Sequence, residues 1–204
     1  MPEYFMSKDE MLFIYLHDGP DFVLKSYKYD PYCNFIHGLG YNLVILNYPF
    51  CPGQGGSTDL NYVKNSIDRL ISKYKNFKII LIGESYGGYL ASLLSNYKKF
   101  DKIIILSGFI SLNYQFIFSS ERTWLRSYIG SNDDFYGIIK SNCIKNKIYF
   151  IQGEKDVECP IEQFFALKNV QNVKLLVLKE ISHKENDGIK LNKVLSTLKN
   201  IIVK

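Results

Sequence analysis

Lys78-Ile79-Ile80-Leu81-Ile82 is an apolar run that ends in Gly83-Glu84-Ser85-Tyr86-Gly87-Gly88 and continues as Tyr89-Leu90-Ala91-Ser92-Leu93-Leu94. A segment apolar on both faces describes a strand in the middle of a covered sheet, and the stretch after the glycines describes a helix. Between them the chain must turn sharply, and glycine tolerates both the strained backbone and the close strand–helix approach. Such a turn lifts the Ser85 hydroxyl clear of the sheet. A serine hydroxyl is a weak nucleophile until something presents and deprotonates it, so Ser85 is the candidate nucleophile.

Five further apolar runs share the character of the first: Leu12–His17, Leu43–Tyr48, Lys102–Gly108, Ile148–Gln152 and Val173–Leu178. Helical segments are predicted within residues 22–39, from Thr58 or Asp59 to Tyr74, from Ile161 to Lys168 and from Gly188 to Ile202. Strands of this kind alternating with helices predict an α/β fold: a mainly parallel sheet of about six strands with helices on both faces. At 204 residues the chain suits a single domain over residues 1–204. Residues 109–147 are the least regular and are expected to form a short lid.

The formal net charge is +5, but the only arginines are Arg69, Arg122 and Arg126, and the lysines are scattered. Phosphate-binding surfaces concentrate basic residues, so nucleic acid is not an expected partner. Cys33, Cys51, Cys143 and Cys159 form no C-x-x-C pair and no zinc spacing, so neither a metal nor a cofactor is expected. The apolar runs are strand-length, and Met1–Phe5 lacks the pattern of a secretory signal. A cytoplasmic protein with reduced thiols and no membrane partner is the simplest expectation.

Ser85 needs a base, and the base needs a carboxylate to orient it. Of the three histidines, His183 follows the last strand, His17 ends the first, and His37 lies between a helix and a turn. Serine, acid and histidine in that chain order, each after a strand, is the pattern of α/β-hydrolases, which favours His183. The loop Gly153-Glu154-Lys155-Asp156-Val157-Glu158 supplies the acid. Asp156 is the choice, with Glu154 and Glu158 expected in solvent. Donors for a developing oxyanion are expected from the backbone N–H of Tyr86 and from the Gly19 loop after the first strand. Cys51 and Cys159 are expected beside the cleft as packing residues. The aromatic residues of the lid, Tyr114, Phe116, Phe118, Trp124, Tyr128, Phe135 and Tyr136, suit an apolar substrate group. Arg122 or Arg126 would suit a substrate carboxylate.

Several of these segments together resemble the catalytic domain of prolyl oligopeptidase-type serine peptidases. His17-Asp18-Gly19-Pro20 looks like their H-G-G-P loop, and Gly83–Tyr89 resembles G-x-S-Y-G-G-Y. Gly40-Tyr41 through the Gly53–Ser57 loop is similar to their G-Y…N-Y-R-G-S-x-G-x-G stretch. Gly153–Asp156 with Cys159-Pro160 and Gln163 looks like G-x-x-D-x-x-V-P-x-x-Q. The resemblance implies a compact α/β-hydrolase fold with Ser85, Asp156 and His183 as the triad and Gly19 and Tyr86 as oxyanion donors. It implies hydrolysis of an amide or ester in a small-molecule or short-peptide substrate. A small-ester hydrolase, a thioesterase and a non-catalytic binding protein of the same fold are the alternatives.

The departures are Asp18 in place of a glycine, Pro49-Phe50-Cys51 in place of arginine-glycine, and no room for an N-terminal propeller. Only Met1–Met11 precede the first strand, so the early antiparallel strands are expected to be missing. The shortened sheet edge is then a place for a second copy to pack, as in a homo-oligomer.

Overall fold

The structure is a computed structural model that describes residues 2–7, 9–129, 144–167, 169–184 and 187–203. Its centre is one seven-stranded sheet in the order β1-β3-β2-β4-β5-β6-β7. The strands are β1 Glu3–Phe5, β2 Met11–Leu16, β3 Asn42–Leu46, β4 Lys78–Glu84, β5 Lys102–Leu106, β6 Ile148–Gly153 and β7 Val173–Leu178. Every pairing is parallel except β1 with β3, which is antiparallel with Tyr4 opposite Val44. The expected six strands are therefore present, and a seventh corrects the expectation that no antiparallel strand precedes them. Three residues are too few to show a period, which is why β1 was not legible.

Alternate strand residues feed two cores. Ile14, Leu16, Leu81 and Ile105 face the side covered by α2 (Gly55–Lys73), α3 (Ser85–Leu93), α4 (Leu112–Phe118) and α5 (Arg122–Ile129). Phe13, Tyr15, Ile82 and Ile104 face α1 (Pro31–Gly38) and α6 (Gly188–Ile202) on the other. Apolar surface on both faces of a strand contributes roughly 25 cal/mol per Å² when buried, so both helical layers are needed to cover the sheet.

Two helix boundaries differ from expectation. α2 begins at Gly55, not at Thr58, because Gly55 is packed under the lid: a Cβ there would lie 2.0 Å from Tyr128 Cε1. That glycine serves a close helix–helix approach within a helix rather than a turn. Ile161–Leu167 is a 3₁₀ helix, whereas α6 matches its expected span. Of the expected lid, α4 and α5 are described, while residues 130–143, with Phe135, Tyr136 and Cys143, lie outside the described residues.

Candidate active site

The elbow forms because β4 and α3 almost touch. A Cβ at Gly83 would lie 2.3 Å from the Gly87 carbonyl oxygen, and one at Gly87 would lie 2.1 Å from that of Leu16. Only glycine fits at either place, so the helix packs directly on the carboxyl end of β2. Ser85 takes up the bend with φ +48°, a left-handed conformation that costs a non-glycine residue on the order of 1–3 kcal/mol. Strain of this kind is held where the surroundings fix it, and here it leaves the hydroxyl half-exposed at the rim.

Three segments distant in sequence meet at that rim. His183 Nε2 is 3.0 Å from Ser85 Oγ, and His183 Nδ1 is 2.9 Å from Asp156 Oδ2 and 3.0 Å from Oδ1. Asp156, with 4% of its surface exposed, also accepts from Gln152 Nε2 and from the backbone N–H groups of Glu158 and Cys159 at 2.7–3.0 Å. The loop thus curls around its own carboxylate and aims it at the imidazole. Burial works against a charged His183, but the Cys159 sulfur beside it and the Asp156 carboxylate raise its pKa well above the usual imidazole value.

The other two histidines lie elsewhere. His37 stacks on Tyr27 with ring centroids 3.9 Å apart. His17 is fully buried between Phe22 and Tyr48, and burial lowers its pKa. Its Nδ1 lies 2.6 Å from the Asp18 carbonyl, while Tyr48 donates to the His17 carbonyl at 2.8 Å. These contacts shape the turn to Gly19, which sits at φ +38°.

A cleft of about 220 Å³ opens over Ser85 and includes Gly19, Tyr86 and His183 in its wall. Gly19 and Tyr86, expected as oxyanion donors, therefore share one cavity with the serine. Trp124 and Leu125 of α5 close the lid side. Beneath them Tyr86 and Tyr128 donate to the same Asp59 oxygen at 2.9 and 2.7 Å, tying α3, α5 and α2 together. Asp59 thus has a buried bracing role, not that of a helix cap.

Three expectations about neighbouring residues change, those for Glu158, Cys51 and the two arginines of the lid. Glu158 is not simply in solvent: its Oε2 is 3.4 Å from His183 Nε2, and it lines the cleft. Cys159 lines the cleft as expected; His183 lies beside it, and burial pushes its thiol up to about 11. Cys51 does not line it. The arginines of the lid turn to backbone carbonyls, Arg122 to Ser119 and Arg126 to Phe116, and neither forms part of the cleft wall. Asp18 reaches the cleft but forms an ion pair with Lys184. Asp156, Cys159 and His183 are also the one compact His/Cys/carboxylate group among the described residues, with ligand atoms within 4.8 Å of one another. A metal there would take the lone pairs that now hold the His183–Asp156 contact.

This sheet, elbow and rim are the α/β-hydrolase fold. No protein-family model matches the chain. It is similar to acylamino-acid-releasing enzyme 1 of Oryza sativa subsp. japonica, with 33% identity over 94 residues, which cover 40% of this chain and 12% of that protein. Among solved structures it is similar to an acylaminoacyl peptidase in complex with Z-Gly-Gly-Phe-chloromethyl ketone. That match has TM-score 0.76 and 18% identity, over 99% of this chain and 38% of the other. An esterase from Pyrococcus furiosus matches with TM-score 0.74 and 19% identity, over 95% of this chain and 81% of its own. The chain thus spans only a small part of its sequence relative and about two fifths of the peptidase. The resemblance to prolyl oligopeptidase-type catalytic domains read from the motifs agrees with these likenesses. No helix among the described residues is long and apolar enough to cross a membrane.

Proposed function

We propose that the protein is a serine hydrolase that cleaves an amide or ester bond of a small peptide or acylated amino-acid-type substrate through an acyl-enzyme. One observation carries this reading: Ser85 Oγ, His183 and Asp156 form a continuous chain of contacts at 3.0 and 2.9 Å. In the proposed reaction Ser85 Oγ attacks the carbonyl carbon as His183 Nε2 takes its proton. Asp156 holds the imidazole by Nδ1 and stabilises the imidazolium that forms. The backbone N–H groups of Gly19 and Tyr86 receive the oxyanion. His183 then protonates the leaving group, and water, deprotonated by the same imidazole, releases the acid and restores Ser85.

The similar proteins support both bond types, since one is named for releasing acylamino acids and another is an esterase. Hydrolysis of small esters is the second reading, favoured by the 81% of the esterase chain that this chain covers. The proposal takes residues 1–204 as one domain with 109–147 as its lid. A cytoplasmic setting belongs to the same proposal, supported by the free thiols of Cys33, Cys51 and Cys159.

Steady-state turnover of activated esters and aminoacyl amides tests the reading. Ser85→Ala is expected to reduce turnover by about 10⁶. Folded wild-type protein that turns over neither substrate class would contradict it.

A further inference from the structure

The chain carries a net charge of +5, yet the cleft over Ser85 is acidic. Asp18, Asp21, Glu121 and Glu158 line it, and no lysine or arginine does among the described residues. Lys184 offsets Asp18 but lines a neighbouring cavity and not the cleft itself. Among the described residues Asp21, Glu121 and Glu158 form no ion pair with a lysine or arginine; Lys184 acts on Glu158 only from beyond ion-pair distance, and the cation facing Glu158 within it would be a protonated His183.

Glu121 and Glu158 are brought together by the backbone. Ser119 Oγ donates to the Glu158 carbonyl at 2.6 Å and accepts from Glu121 N at 3.0 Å. Gln115 Nε2 donates to the same Glu158 carbonyl at 2.9 Å. The start of the lid helix is thus stitched to the Asp156 loop, with one carboxylate from each side facing a shared space. Trp124, one turn beyond Glu121, lines the same wall with its ring stacked on Tyr128.

Carboxylates that outnumber the cations around them repel anions, leave neutral groups unassisted and attract ammonium or guanidinium groups. The cleft is also smaller than the roughly 300–1,000 Å³ of sites for drug-sized ligands. We propose that the substrate carries a positive charge close to the scissile carbonyl, as in a short peptide or aminoacyl ester with a free α-amine or a basic side chain. The inference rests on the serine-hydrolase reading and narrows it away from neutral N-acylated substrates.

The test compares kcat/KM of the full-length chain for the aminomethylcoumarin amides of leucine, Nα-acetyl-lysine and N-acetyl-leucine, with a neutral acetate ester as reference. At least one cationic amide is expected to exceed N-acetyl-leucine by about tenfold at low salt, and the ratio should fall as salt screens the charges. Leucine against Nα-acetyl-lysine tells an α-amine site from a side-chain site. Glu121→Gln and Asp21→Asn should each lower the ratio by roughly threefold, whereas Lys184→Met, by uncovering Asp18, should raise it. Calorimetry of leucinamide, Nα-acetyl-lysinamide and N-acetyl-leucinamide with Ser85→Ala reads the same preference without turnover. Cleavage of the neutral ester with no preference for either cation overturns this inference alone. A cationic preference in binding with no turnover of any substrate overturns the hydrolase reading alone and sustains the acidic cleft. Equal or tighter binding of N-acetyl-leucinamide than of both cations overturns the inference whatever the turnover.

Discussion

Two buried carboxylate clusters flank Ser85, and they differ in how many donors each contains. On one side Asp156 accepts from His183, Gln152 and two backbone N–H groups. On the other, Glu84, the residue immediately before the nucleophile, and Asp30, the N-cap of α1, share one phenol, with the Cys33 N–H on Asp30 as the second donor for the two carboxyl groups. Tyr15 Oη is 2.6 Å from Glu84 Oε2 and 2.9 Å from Asp30 Oδ2. A single phenolic proton cannot serve two carboxylates, so one of the carboxyl groups must be protonated. Burial raises the pKa of both carboxyl groups, that of Glu84 well above the usual carboxylate value with the charges of Asp30 and Asp18 adding to it, so the pair shares a proton that Glu84 takes the more readily. With the proton on Glu84, its hydroxyl donates to Tyr15 and Tyr15 donates to Asp30. The same functional group, a carboxyl, becomes a partner for an imidazolium where donors are plentiful. Where donors are scarce, it becomes a neutral brace.

The sharpest way to break this contrast is to neutralise the donor-rich side. Asp156→Asn should lower kcat by about 10⁴, the scale of the same change in other serine–histidine–aspartate arrays. A loss below tenfold on an activated ester would remove Asp156 from the mechanism. The next effect is on pH dependence. If His183 acts as a base it must be neutral, so kcat/KM should rise with pH through a midpoint above the ordinary 6.5, because its folded-state pKa is raised. A midpoint at or below 6.5 contradicts this.

The brace under the lid gives a smaller effect. Tyr128→Phe leaves Asp59 with Tyr86 alone and should lower unfolding stability by about 1 kcal/mol, read as a shift in denaturant midpoint.

Glu84→Gln should give the smallest effect, with ester turnover within about threefold, because the amide replaces an acid that is already neutral. It should also change the slope of stability with pH. A raised folded-state pKa means that Glu84 contributes stability below the ordinary carboxylate pKa and loses it as pH rises towards its own. Wild type should therefore lose stability relative to the glutamine variant as pH rises above the ordinary carboxylate range. The opposite trend in paired denaturation curves would place the proton elsewhere.

The elements with strong local signals were legible in the sequence. Unbroken apolar runs marked the six parallel strands, and the serine, acid and histidine loops each stood just after one. Features set by contacts between distant segments were not legible. The Gly53–Gly56 stretch reads as a loop until Tyr128 is seen lying on Gly55, inside α2. Glu158 and Glu154 look alike in sequence, but only Glu158 turns towards His183. Arg122 and Arg126 sit in a lid that resembles a carboxylate site, yet both bond to backbone carbonyls. Nothing local marks Glu84 as neutral, because Asp30 and Tyr15 come from other strands and turns of the fold.

At the centre of the account is a hydroxyl made reactive by its surroundings, and fluorophosphonate labelling followed by peptide mass mapping reads that reactivity directly. One adduct per chain, located on Ser85 and abolished by His183→Ala as well as by Ser85→Ala, is the expected result. Folded protein that takes no label, or that carries it on a residue other than Ser85, would contradict the account.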